Sequence, residues 1–255
     1  MRLLVLLSAL AMPVVSWFAQ RGVFGPDNGE ISDRYPTLVV AAGYAFSIWG
    51  LIFLLDVVHG VRQMRAPWRD DALLGRIAPA TIAGFVLTTA WMPLFSQGMF
   101  AICLVVIFGA LGCLAWAAIQ LSDAGPRGGV HVWSWVALSL HAGWLSLAAF
   151  LNLAQSALAF GWTQEQAQLT SSVLLLAAAT ALLLWLNARM RGNLAYVAAA
   201  LWGLVAVWQR QSGNPLPGAE VTAMVALGMA VLLVVQSAWL WMRTRGHAGT
   251  RDGLA

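Results

Sequence analysis

Apolar residues fall into eight long runs separated by short polar stretches, at about 3–18, 38–59, 78–96, 99–121, 132–154, 167–187, 194–208 and 219–241. A membrane-crossing helix needs ~20 mostly apolar residues to bridge ~30 Å of hydrocarbon. The runs approach that length, exceed an ordinary strand and lack strand alternation, so each reads as a helix. The expectation is an all-α integral membrane protein of eight spans whose main surroundings are the lipid bilayer. Within the first run, Ala9-Leu10-Ala11 has the form of a signal-peptidase site. Cleavage after Ala11 would leave too short an apolar region ahead of it, so the run reads as a first transmembrane helix. A polar loop over 19–36, carrying Asp27, Glu30 and Asp33, separates it from the second span.

Composition sharpens this picture. Of 255 residues, 60% are hydrophobic and 9% charged, against roughly 45–50% and 25% in a soluble domain. Neither a water-soluble globule nor a disordered chain has that balance. All 14 basic residues are arginine, against 10 carboxylates. They lie between apolar runs, as topology signals do, and not on a phosphate-binding face, so no nucleic-acid partner is expected. With the N-terminus inside, eleven arginines collect on the inner side and only Arg21, Arg34 and Arg210 on the outer. Both termini are therefore expected in the cytoplasm. Exclusive use of Arg and abundant Ala suggest a GC-rich bacterial genome, hence a bacterial inner membrane. Cys103 and Cys113 are ten residues apart in one run, on different helix faces, and no metal-ligand spacing occurs, so no metal or resident cofactor is expected.

Few ionisable residues fall inside the runs. Asp56 and His59 share a face near the inner end of span two, where snorkelling toward the interface beside Arg62 is the expected role and a proton-handling pair the alternative. His141 stands deeper, about nine residues into span five, as either a ligand-facing group or a histidine bonded to a neighbouring helix. Ser47 and Asp56 lie about 13 Å apart along one helix, too far for a Ser-His-Asp triad through His141. No catalytic machinery is evident, and no enzyme is expected.

The 14 tryptophans divide by position. Trp17, Trp68, Trp133, Trp135, Trp162, Trp208, Trp239 and Trp241 lie near helix ends, where indoles prefer the headgroup level. Trp49, Trp91 and Trp144 lie further inside, with Trp116, Trp185 and Trp202 intermediate. Buried indoles seek partners for their N–H groups, and several converging in a bundle either fill its core or line a cavity for a flat apolar ligand. On span two Phe46, Trp49 and Phe53 share a face; on span five His141, Trp144, Ala148 and Asn152 do the same.

At these residues a family resemblance enters. Tyr44-Ala45-Phe46-Ser47-Ile48-Trp49-Gly50-Leu51-Ile52-Phe53 resembles the second-helix motif of the TspO/MBR family, the tryptophan-rich sensory and translocator proteins. Ala90-Trp91-Met92-Pro93-Leu94-Phe95 is similar to the third-helix Trp-x-Pro-x-Phe stretch, and Gly143-Trp144 through Asn152 to the fifth-helix signature. Thr89 and His141 stand where the family usually carries asparagine and an aromatic residue, and the cholesterol-recognition pattern is absent from span five.

The resemblance covers residues 1–162 as a TspO-like five-helix bundle, with 163–255 as an accessory extension of three more spans, as in a longer branch of the family. It implies a ligand site at Phe46, Trp49, Phe53, Trp91, His141, Trp144, Ala148 and Asn152. The expected ligand is a flat hydrophobic small molecule such as a tetrapyrrole, porphyrin or haem, and the expected role regulatory or transport. A secondary transporter of a small hydrophobic metabolite and an intramembrane porphyrin-degrading enzyme are the alternatives. Ala80, Gly84 and Thr88 form a small-residue row that suits either a homodimer or contacts within the bundle.

Overall fold

The computed structural model describes residues 1–66, 68–124, 130–163 and 168–249, without the side chains of Val130 and of residues 244–249. Arg127, Arg251 and Ala167, used above to set topology and span boundaries, lie outside the described residues. Among those described, the chain forms α1 (Arg2–Gln20), α2 (Asn28–Arg34), α3 (Ile48–Arg62), α4 (Ala72–Ser96), α5 (Phe100–Ala124), α6 (Val130–Ala159), α7 (Gln168–Arg189), α8 (Leu194–Ser212) and α9 (Ala219–Gly249). Seven helices are long and apolar enough to cross a bilayer. The predicted span at 194–208 is a helix but not one of the seven: α8 ends in Gln209-Arg210-Gln211, which dilute its hydropathy. It lies largely inside the bundle, with Tyr196, Ala200, Leu204 and Val207 fully buried.

Two elements differ from the sequence expectation. The 19–36 loop contains α2, nucleated by a capping box in which Asp27 accepts from the Glu30 N–H at 2.9 Å and Glu30 accepts from the Asp27 N–H at 3.1 Å. The second span is not helical from residue 38; residues 38–42 are irregular, a 3₁₀ turn covers Gly43–Ser47, and α3 begins at Ile48. Leu38, Val39, Val40 and Ala41 are nevertheless buried. Non-helical backbone at membrane depth must be satisfied by protein, and α8 does this. The Ala42 N–H donates to the Ala206 carbonyl at 3.0 Å, and Gln211 Nε2 donates to the carbonyls of Val40 at 3.0 Å and Thr37 at 3.4 Å.

The most enclosed of the spanning helices is α6. It packs on α3, α5, α7 and α8, and glycine sets the closest of these approaches. A Cβ at Gly143 would collide with the Tyr196 carbonyl of α8, and one at Gly203 would stand 2.5 Å from Leu147 Cδ2. Between α4 and α5, a Cβ at Gly84 would stand 2.5 Å from Leu114 Cδ2's neighbour Cγ. Gly84 and Thr88 of the small-residue row are thus buried in contacts within the chain, while Ala80 is half-buried.

One end of the bundle is tied by Arg2, whose guanidinium donates to Gln63 Oε1 at 3.1 Å and to the carbonyls of Arg69 and Asp71 at 3.1 and 2.7 Å. Asp71 caps α4 through the Leu74 N–H at 2.9 Å and meets His131 Nε2 at 2.9 Å. The opposite end holds the exposed Arg210–Asp33 pair at 3.4 Å and the Ser96–Asn28 contact at 3.2 Å.

Gly143→Ala should lower stability by about 1–3 kcal/mol, because the carbonyl it meets belongs to a helix and has little freedom to withdraw. Gly112→Ala, whose Cβ meets nothing within 4 Å, should not, and thermal unfolding in detergent compares the two. Acid should loosen the Arg2 end. Partial burial pushes the Asp71 carboxyl up, but the Leu74 N–H, His131 and the Leu73 N–H together hold it below its usual value. A depressed carboxylate adds stability that is present above its unfolded value of about 3.9 and is lost as pH falls through the lower folded value. The acid limb of a stability profile should therefore flatten in Asp71→Asn.

Candidate ligand cavity

Trp49, near the start of α3, is the centre of the aromatic cluster. Its ring stacks on Phe53 at 5.2 Å, tilts against Trp91 at 6.5 Å and meets the edges of Trp144 and His141 at 6.0 and 5.6 Å. Trp91 and Phe95, one turn apart on α4, stack at 4.7 Å. The rings of Trp49, Trp91, Phe95 and Trp144 border an inner cavity of about 30 Å³, room for little more than one or two waters.

Of the predicted residues, Phe46, Trp49, Trp91, Trp144, Ala148 and Asn152 line this cavity. Phe53 and His141 do not line it; both lie against Trp49. The walls also include Ser32 of α2, Val40 and Ala41 of the irregular segment, Phe95, Ile107 of α5, Leu151 and Gln155. Gln155 extends the α6 face one further helical step past Asn152, so the same periodicity could have found it. Ser32 and Val40 depend on α2 and on the irregular segment, neither of which the apolar runs indicated.

The polar groups here are specific. Trp91 Nε1 donates to Asn152 Oδ1 at 3.1 Å, and Gln155 Nε2 donates to Ser32 Oγ at 2.7 Å. Two further buried donors, Trp144 Nε1 and Asn152 Nδ2, have no partner. A second cavity of about 330 Å³ adjoins the first and shares Phe46 and Trp49 with it. Its lining is more polar, with Ser16, Gln20, Asp27, Asn28 and Ser47.

The expected snorkelling of Asp56 and His59 is not what the structure shows. Their side chains are buried, at 0% and 1% exposure. Asp56 Oδ2 meets His141 Nδ1 at 2.8 Å, and His59 Nδ1 meets Ser134 Oγ at 2.8 Å. The other His141 nitrogen lies 3.3 Å from Thr88 Oγ1. Helix α6 packs against α3 here, and it covers both side chains. Both His141 nitrogens are engaged away from Ser47, which is exposed, and no triad forms.

The helix-end tryptophans Trp17, Trp133, Trp162, Trp208, Trp239 and Trp241 are exposed, while Trp135 donates to Ser122 Oγ at 3.1 Å. Trp202 donates to the Ala45 carbonyl at 3.1 Å, tying α8 to the wall of the site. Among the described residues, no group of three or more His, Cys, Asp or Glu is placed to hold a metal ion.

Fold and site together define an all-helical integral membrane protein with an aromatic cavity enclosed among its helices. The chain belongs to the TSPO-like family, whose model, described as TSPO-like protein, matches residues 2–239. The match runs on past residue 162, where the motif resemblance ends, through α7 and α8 into α9. No curated protein and no solved structure matches the chain.

A double-mutant cycle tests the Trp91–Asn152 bond. Trp91→Phe or Asn152→Leu alone strands one buried partner and should cost on the order of 1–3 kcal/mol. The two together should cost clearly less than their sum in thermal unfolding; strict additivity would show that the bond is absent.

Proposed function

We propose that the protein is a membrane-embedded binding protein for a flat hydrophobic ligand of the tetrapyrrole class, with a regulatory or transport role and no catalytic step. The observation that carries this reading is the pair of unpartnered donors, Trp144 Nε1 and Asn152 Nδ2, on residues of an aromatic cavity. A buried N–H without an acceptor costs about 1–3 kcal/mol, and a ligand that brings a carboxylate, a carbonyl or an unprotonated imine-type ring nitrogen supplies one. The indoles provide stacking area, and Ser32, Asn152 and Gln155 supply hydroxyl and amide groups that orient a ligand without transforming it.

The inner cavity is too small for a tetrapyrrole as it stands, so binding involves displacement of Phe46 and Trp49, the wall it shares with the outer cavity. The outer cavity lies at the low end of small-molecule sites, about 300–1,000 Å³. The arginine partition supports both termini in the cytoplasm, and the all-arginine, alanine-rich composition supports a bacterial inner membrane.

Absorbance titration of the purified chain in detergent with protoporphyrin IX tests the reading: a saturable Soret shift supports it, whereas steady loss of the porphyrin spectrum would make the protein an enzyme. Trp144→Leu should weaken binding by about 1–3 kcal/mol, the scale of aromatic stacking on a flat base. Trp239→Leu, an exposed helix-end position, should leave it unchanged. Equal behaviour of the two variants would reduce the inner tryptophans to core filling.

A further inference from the structure

The Asp56–His141–Thr88 cluster belongs to neither cavity lining. Asp56 and His141 are fully buried at 0% exposure and Thr88 nearly so. The second carboxylate oxygen, Asp56 Oδ1, is buried without a hydrogen-bond partner. Leaving ionisable groups in a bundle interior is expensive, and where they occur deep in a membrane protein they commonly serve proton or ion handling.

We propose that Asp56, His141 and Thr88 form a buried proton-binding site whose state is coupled to the aromatic cavity through Trp49. Three features carry this. First, the geometry accepts either charge state without movement of a heavy atom. His141 Nδ1 faces the carboxylate as a donor in both states, and Nε2 faces a hydroxyl, which can donate to a neutral imidazole or accept from an imidazolium by rotating. Second, Thr88 is free for this. Thr81 and Thr89 on the same helix donate to the carbonyls four residues back, at 3.0 and 2.8 Å, whereas Thr88 is turned toward His141. Third, the α3–α6 seam stays polar toward the Arg2 end. His59, one turn from Asp56, bonds Ser134 and lies 3.3 Å from Gln63 Nε2, and Gln63 accepts from Arg2.

Uptake adds one proton from water to His141 Nε2 and removes none elsewhere. The site passes from a carboxylate beside a neutral imidazole, with one uncompensated charge, to a carboxylate beside an imidazolium, with none. The other ionisable groups on the surrounding helices are His59 on α3, Arg2 on α1, Arg76 on α4, Cys103 on α5 and Tyr196 on α8, with Arg62, Cys113, Asp123, His131, Arg189 and Arg210 further toward helix ends or outer faces. None of these makes a hydrogen bond to Asp56 or His141, and Tyr196 is bonded to Ser146. The Trp49 ring meets the edge of His141 on one side and borders the cavity on the other. A ligand that displaces Trp49 therefore changes the surroundings of the charged group. This coupling rests on the ligand reading above; the proton site itself does not.

Nitrogen-15 NMR of the histidine-labelled full chain in lipid nanodiscs tests the site without any ligand. The His141 signals, assigned by their loss in His141→Gln, should convert between the neutral and charged imidazole patterns as pH is varied. If that variant fails to insert, Thr88→Val supplies the assignment by shifting the signal of the nitrogen it faces. A His141 that holds one charge state at every pH where the protein is folded overturns the proposal. Protoporphyrin IX titrations across the same range then test the coupling. Affinity should change by up to about tenfold per pH unit if one proton is linked, and the dependence should vanish in Asp56→Asn. Binding that is independent of pH overturns the coupling. Absence of binding at every pH overturns the ligand reading, and the NMR result still decides the proton site.

Discussion

A polar side chain buried in a membrane bundle that does not bond the backbone of its own helix must find its partner on another, and in this protein α6 supplies many of those partners. Along its length His131 meets Asp71, Ser134 meets His59, and Ser139 accepts from Asn193. His141 then joins Asp56 and Thr88, Ser146 accepts from Tyr196, Asn152 accepts from Trp91, and Gln155 donates to Ser32. These bonds reach α2, α3, α4 and α8. Apolar packing in a bilayer is weakly directional, since hydrocarbon surrounds the helices as well as filling the space between them. The polar contacts of α6 therefore fix rotation and depth for its neighbours, and the glycine contacts set how closely they approach.

The helices after residue 162 share in this arrangement. Through Gln211 and the Ala206 carbonyl, α8 satisfies the irregular backbone at 37–42, and through Trp202 it holds Ala45. Ala41 and Ala45 both border the inner cavity. Shape at the cavity thus depends on a helix more than 150 residues further along the chain, in keeping with a family match that extends to residue 239.

At the site, Trp49 joins three environments: the aromatic inner cavity, the more polar outer cavity, and the buried Asp56–His141 pair. No other residue among those described borders both cavities and touches that pair.

The sequence by itself determined the all-α class and the approximate positions of the long apolar helices, though not α2, since ~20 apolar residues without alternation have few other solutions beside a bilayer. Family motifs and helical spacing together pointed to six of the fourteen residues that line the inner cavity. What periodicity gives is a face, not what that face meets. Only the tertiary structure decided that Asp56 turns inward to His141 in place of reaching the interface, that His141 backs Trp49 without lining the cavity, and that Gly84 meets Leu114. Residues 38–42 show the same limit, since their apolar composition suits a helix, and the irregular form is stable because α8 provides hydrogen bonds to it. Each of these outcomes depends on which helices are neighbours, and that is set by polar pairing and close packing between residues far apart in the chain.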